Sequence, residues 1–191
     1  KNFKKNFKYN QIHSFEASSM NFEILKYKIS NIKNENIFIN NFGLSDDKKI
    51  LNINQSKDSA SSTLSEINSN SKYYKKKIKM LGISNQTKYF NQLEVKLIKI
   101  DDYISEKNLN KIDLLKIDTE GHEYYVLKGA LKNLTKIKYV YFEHHYDDMI
   151  KKGYKFSEIN YFLISNNFKM VFKSKMYFRK TFEYIYENST F

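Results

Sequence analysis

The fold turns on the stretch "IDLLKIDTEGHEYYVLKGA", Ile112–Ala130. A largely apolar run stops abruptly at Asp118, and three more ionisable residues, Glu120, His122 and Glu123, follow within five positions. The apolar run has the composition of a central strand in a parallel sheet covered on both faces. Gly121 permits a tight turn, and a helix then follows with Tyr124, Leu127, Leu131 and Leu134 as its buried stripe. Strand, acidic turn and helix in this order make one half of a βαβ unit.

Similar units flank it. Upstream, "IHSFE" reads as a short strand ending in Glu16. Ser18 or Ser19 can cap a helix with Phe22, Leu25 and Ile29 on one face, and Ile37–Asn41 is a second strand before the Gly43 turn. Lys1–Asn10, with Phe3 and Phe7 at helical spacing, reads as the end of an amphipathic helix. Residues 52–91 form a polar, Ser- and Lys-rich insertion, which predicts a lid or substrate loop within a single domain over 1–191. "LEVKLIKIDDYI" is a strand and a short helix. Downstream, "KYVYFEHH" is a buried strand, "FSEINYFLISNN" a helix, and "FKMVFK" and "FEYIYEN" an antiparallel pair. The class is therefore α/β, an open and mostly parallel sheet, and such sheets bind ligands beyond the carboxyl ends of their strands.

The 191 residues are 41% hydrophobic and 28% charged, within the globular range, and no apolar run is long enough to span a membrane. A cytoplasmic protein is the default expectation. The net charge of +12 suggests nucleic acid, but Arg179 is the single arginine, and arginine is the residue suited to bidentate phosphate and guanine contacts. The lysine excess accompanies abundant Asn and Ile and reads as compositional bias, so no nucleic-acid partner is expected.

The acids fall where such a sheet works. Glu16 ends the first strand, where a carboxylate can accept hydrogen bonds from both hydroxyls of a ribose; the alternative is a charge favoured by the helix start that follows. Asp118, if its strand is buried, is a desolvated carboxylate fit to act as a base. His122 is a candidate general base near neutral pH. Glu143 and His145 share one side of their strand and His144 the other. Asp118, Glu120, His122, Glu143 and His145 have the ligand types for a divalent cation, but their spacing selects none, and no metal is assigned. "SASSTLS", Ser59–Ser65, is either a solvated linker or a polar substrate contact, and Lys75–Lys77 a solvated face.

"DLLKIDTEGHEYYVLKGA", together with "FEASSMNFEILKYKI", "NFGLSDD", "SSTL", "VKLIKIDDYI" and "YVYFEHH" in that order, resembles the FkbM family of S-adenosylmethionine-dependent methyltransferases over about Ile12–His145. The resemblance implies a Rossmann-like class I methyltransferase fold of seven strands, the last antiparallel, with S-adenosyl-L-methionine as cofactor. It implies O-methylation of a sugar, glycan or other hydroxylated small molecule. Carried over, Glu16 with Ala17 would hold the ribose, Gly43 and Leu44 would lie near the adenine, and Asp118 and Glu120 would sit beside the methyl donor. Asp118, with His122, Glu143 and His145 as rivals, would serve the chemistry. The family's first strand and glycine-rich loop have no counterpart here. The chain opens at Lys1, so a fragment or defective copy is expected, with unpaired edges on the two strands that would flank the missing one.

Three other readings remain: a non-catalytic remnant acting as a binding module, a nucleic-acid methyltransferase, and a dehydrogenase, the last without any Gly-x-Gly-x-x-Gly.

Overall fold

A computed structural model describes residues 11–32, 35–56, 62–80, 82, 90–177 and 179–191. The amphipathic segment expected over Lys1–Asn10 and the first residues of "SASSTLS" lie outside them.

The core is a four-stranded sheet. Strand β7 (Ile112–Ile117) pairs parallel with β8 (Ile137–His145), which pairs antiparallel with β11 (Thr181–Asn188), which pairs antiparallel with β10 (Phe168–Lys175). Alternation assigns the faces. Val140, Phe142 and His144 of β8 and Tyr184 and Tyr186 of β11 are buried on one side, under α4 (Glu123–Lys128) and α5 (Phe156–Ser165). Tyr139, Tyr141 and Glu143 are half-buried on the other. The expected helix over "FSEINYFLISNN" buries Ile159 and Leu163, and the final hairpin is antiparallel as read from the sequence.

A second, two-stranded parallel sheet joins β1 (Ile12–Phe15) to β2 (Ile37–Asn40) through α1 (Ser19–Ser30). Ser18 caps α1 by accepting from the Asn21 amide, and Phe22, Leu25 and Ile29 are the helix's half-buried stripe. A third sheet has β6 (Phe90–Ile98) at its centre, parallel to the short β3 (Gly43–Leu44) and antiparallel to β4 (Lys49–Ser56). Helix α3 (Ile100–Glu106) follows β6 and buries Ile100, Tyr103 and Ile104.

Three expectations are corrected. The parallel strands do not form one continuous sheet: β7 pairs only with β8, so it is an edge strand among the described residues, and Asp113 and Lys116 are exposed. As expected from the sequence, the outer edges of β7 and β1 both lack a β-partner among the described residues. The insertion is not featureless, since it holds the end of β4, a short β5 (Glu66–Ile67) and helix α2 (Lys72–Met80). Finally, the helix after Asp118 breaks at Gly129 and continues as a 3₁₀ turn, Leu131–Lys136. The change of pitch rotates Leu131 outward, 54% exposed, and brings Ala130 in beside Leu127 and Leu134. Among the described residues no helix is long and apolar enough to cross a membrane.

Candidate functional site

The candidate site lies where β1 and β7 end. Ala17 follows β1 and abuts Gly43: a Cβ on Gly43 would stand 3.1 Å from that of Ala17 and 2.6 Å from Leu97 Cδ2. Two residues on, the Ser45 hydroxyl lies 2.9 Å from His122 Nε2, just past the turn that ends β7. One three-residue segment, Gly43–Ser45, thus contacts both the residue that follows β1 and the turn that follows β7.

Glu16 is half-buried, and its Oε1 accepts from the Ser18 amide at 2.8 Å. Burial raises its pKa, partly opposed by that hydrogen bond. Gly43 lacks a side chain because Leu97 and Ala17 fill the space, and Leu44 packs against the main core. These two are therefore accounted for by packing.

Asp118 is exposed, not desolvated as expected for a covered strand, and its Oδ2 receives Lys116 Nζ at 3.0 Å. The β7–β8 register pairs Ile117 with Phe142, so Asp118 and Glu143 leave adjacent strands side by side. Burial raises the pKa of Glu143, and the charge of Asp118 adds to this. Across β11, Glu143 stands directly opposite Glu183, whose carboxylate accepts from the Tyr141 hydroxyl. Like charges facing each other in a sheet are unfavourable, which marks this rim as a place where acids are concentrated despite their mutual repulsion.

The turn itself is constrained. Glu120 adopts φ +49°, unusual for a residue with a side chain, and Gly121 φ +102°. A Cβ on Gly121 would meet Ile150 Cγ2 at 2.8 Å. Glu123, 1% exposed, holds the turn from below: Oε1 accepts from the Gly121 amide at 2.8 Å and the Thr119 hydroxyl at 3.1 Å, and Oε2 accepts from the Tyr154 hydroxyl. Burial and the Glu123 carboxylate push the Tyr154 phenol far above its ordinary range. From above, Thr63 Oγ1 donates to the Glu120 carbonyl at 2.7 Å and Ser65 Oγ to the Gly121 carbonyl at 3.0 Å. The end of "SASSTLS" therefore docks on the acidic turn. Described residues further along the insertion pack nearby. Strand β5 pairs with β9 (Ile150–Lys151), and Tyr74 and Ile78 of α2 pack on Met149 and Ile150.

His145 and Glu120 meet, with His145 Nε2 3.2 Å from Glu120 Oε2. His122 does not join them. It is 6% exposed, stacked on Tyr125 at 4.7 Å and hydrogen-bonded to Ser45, whose hydroxyl donates to Asp46. Burial, aided by Lys49, lowers its pKa to about 4. His144 is sunk among Tyr146, Tyr154 and Phe156, its pKa likewise lowered to about 4 by burial and by Lys152. Among the described residues no three His, Asp or Glu side chains could hold a metal ion.

The matching family model is the methyltransferase FkbM domain, aligned with residues 3–170. The chain belongs to the FkbM methyltransferase family. Its similarity to a curated relative, the 2-O-methyltransferase NoeI of Sinorhizobium fredii (strain NBRC 101917 / NGR234), is 36% identity over 52 residues, 27% of this chain and 21% of that protein. No solved structure matches. In this FkbM chain sequence reasoning missed Asp147, Thr181 and Glu183. Asp147 continues the alternation of Glu143 and His145 one step past the strand. Thr181 and Glu183 reach the rim from a strand nearly forty residues later, and only the β8–β11 register reveals them.

Proposed function

We propose that this FkbM-family chain is the core of an S-adenosylmethionine-dependent O-methyltransferase acting on a hydroxylated small molecule or glycan. One observation supports the reading: in a chain of this family, the segment after β1, which holds Glu16, and the turn after β7, which holds Asp118, are both contacted by Gly43–Ser45. The donor set suits the cofactor. A half-buried carboxylate at the end of a parallel strand fits a ribose diol, and the bound cofactor would supply an electrophilic methyl group. Glu16 and Ala17 would hold its nucleoside, with Gly43 and Leu44 beside them.

The bound cofactor would supply its methyl group to an acceptor oxygen, so most of the advantage this chain can give lies in alignment. The hydroxyl must also lose a proton, and Asp118, exposed at the strand end beside Glu143, is the acceptor for it. His122, enclosed and engaged with Ser45, is ranked below it. The docked Thr63–Ile67 segment stands over the turn and suits a role in acceptor selection. NoeI is named for 2-O-methylation, and an acceptor with neighbouring hydroxyls is the class to try first.

The test uses the full-length protein. Calorimetric titration with S-adenosylhomocysteine should show binding, and labelled methyl transfer should be detected with a panel of glycosides. Asp118→Asn should keep the fold and cofactor binding but lose transfer by about 10²–10⁴-fold. Binding without transfer to any acceptor would favour a non-catalytic module, and a silent titration would remove the methyl donor from the reading.

A further inference from the structure

His145 is 8% exposed at the end of β8, and both ring nitrogens are engaged. Nδ1 lies 3.0 Å from Thr181 Oγ1 and 3.7 Å from Asp147 Oδ2, while Nε2 lies 3.2 Å from Glu120 Oε2. The Asp147 carboxylate is itself fixed, since its Oδ1 accepts from the Met149 amide at 3.0 Å. Two carboxylates on opposite sides of one buried ring have little reason to stay there unless the ring carries a proton on both nitrogens.

The charges around it are mixed. Glu120 comes from the turn after β7 and Glu123 from the first turn of α4. Glu143 and the neutral-leaning His144 flank it on β8, Asp147 follows β8, and Lys152 after β9 donates to the His145 carbonyl. Lys77 of α2 adds positive charge near Glu120. Burial lowers the pKa of His145, but the nearby carboxylates of Asp147, Glu120 and Glu123 more than offset this, and the net direction is upward.

We propose that His145 is a positioning residue: clamped at Nδ1 by Asp147 and Thr181, its imidazolium fixes the Glu120 carboxylate and, through it, the left-handed turn that presents Asp118 and receives Thr63 and Ser65. Loss of its proton releases Glu120, and with it the docking carbonyls of Glu120 and Gly121. The purpose of the device rests on the methyltransferase reading; its geometry does not. It gives Asp147 and Thr181 a role outside the methyl transfer itself.

The experiment is a histidine-edited ¹⁵N NMR titration of the full chain, followed alongside the backbone amides of Glu120 and Gly121. In the wild type, His145 should titrate above the ordinary ~6.5, and the two amides should shift with the same midpoint. Glu120→Gln and Asp147→Asn should each move the His145 midpoint down by at least about half a pH unit, since each removes one negative partner. In Glu120→Gln the amides should cease to follow it. Thr181→Val keeps both carboxylates and should leave the midpoint high while changing the Nδ1 shift. A His145 midpoint that ignores both carboxylate substitutions, or amides that stay still while the ring titrates, overturns the proposal. Binding of S-adenosylhomocysteine, measured separately at a pH below the midpoint, tells failure of this device from failure of the methyltransferase reading.

Discussion

At the scale of single residues, four histidines illustrate how little residue type says by itself. His13 hydrogen-bonds the Tyr103 hydroxyl at 2.7 Å, His122 is enclosed by Ser45 and Tyr125, His144 is packed among aromatic rings, and His145 is held between carboxylates. The burial of His122 has a pH consequence. Its folded-state pKa of about 4 lies below the ordinary ~6.5. Between those values the unfolded chain takes up a proton that the folded chain refuses, so stability rises with pH through this window and is fully present above it. Acidification from pH 7 to 4.5 should therefore remove about 2–3 kcal/mol through this group alone. Urea unfolding of wild type and His122→Gln at a series of pH values checks this. The gap between them should narrow by that amount on acidification, and a gap independent of pH would mean the ring is open to protons when folded. His145, raised where His122 is lowered, acts with the opposite sign: its contribution is complete below about 6.5 and is lost as pH climbs through its folded value.

At the scale of elements, the passage from α4 into the 3₁₀ turn is what the periodic reading of "YYVLKGALKNL" could not foresee. A continuous helix puts Leu131 inward, but the observed break puts it in solvent. The cause is a close crossing. A Cβ on Gly129 would lie 2.0 Å from the carbonyl oxygen of Ser45, so the helix ends where the chain after β3 passes over it. Because Ser45 also bonds His122, that crossing holds both strand ends of the site together. Gly129→Ala should cost ~3 kcal/mol or more, at the upper end for overpacking because the obstacle is backbone. It should also weaken S-adenosylhomocysteine binding. A urea midpoint within error of wild type would show that the crossing can relax. Elements whose signals were local were legible in advance: the Ser18 cap, the period-two alternation of β8 with Glu143 and His145 on one side and His144 on the other, and the terminal hairpin. Strand β4 was not, because it is defined by antiparallel pairing with β6, whose first residue is 34 positions beyond the last of β4.

For the whole molecule, stability is distributed unevenly. The sheet β10-β11-β8-β7 is backed by the main core, while the insertion rests on the small cluster of Tyr74, Ile78, Met149 and Ile150 and on hydroxyl-to-carbonyl bonds from Thr63 and Ser65. Native-state hydrogen exchange should therefore show β5 and α2 opening at least about 100-fold more readily than β8 and β11. Equal protection would mean the insertion is an integral part of the core. By itself the sequence determined the βα alternation, the family, and the chemical types gathered at the strand ends, because periodicity, caps and the order of motifs are written in neighbouring residues. Only tertiary structure decided that β7 is an edge strand among the described residues with an exposed Asp118, that His122 is sealed off while His145 meets Glu120, and that Thr181 and Asp147 complete that contact. Burial and hydrogen bonding depend on which distant segments come together, and a local pattern carries no record of its partners.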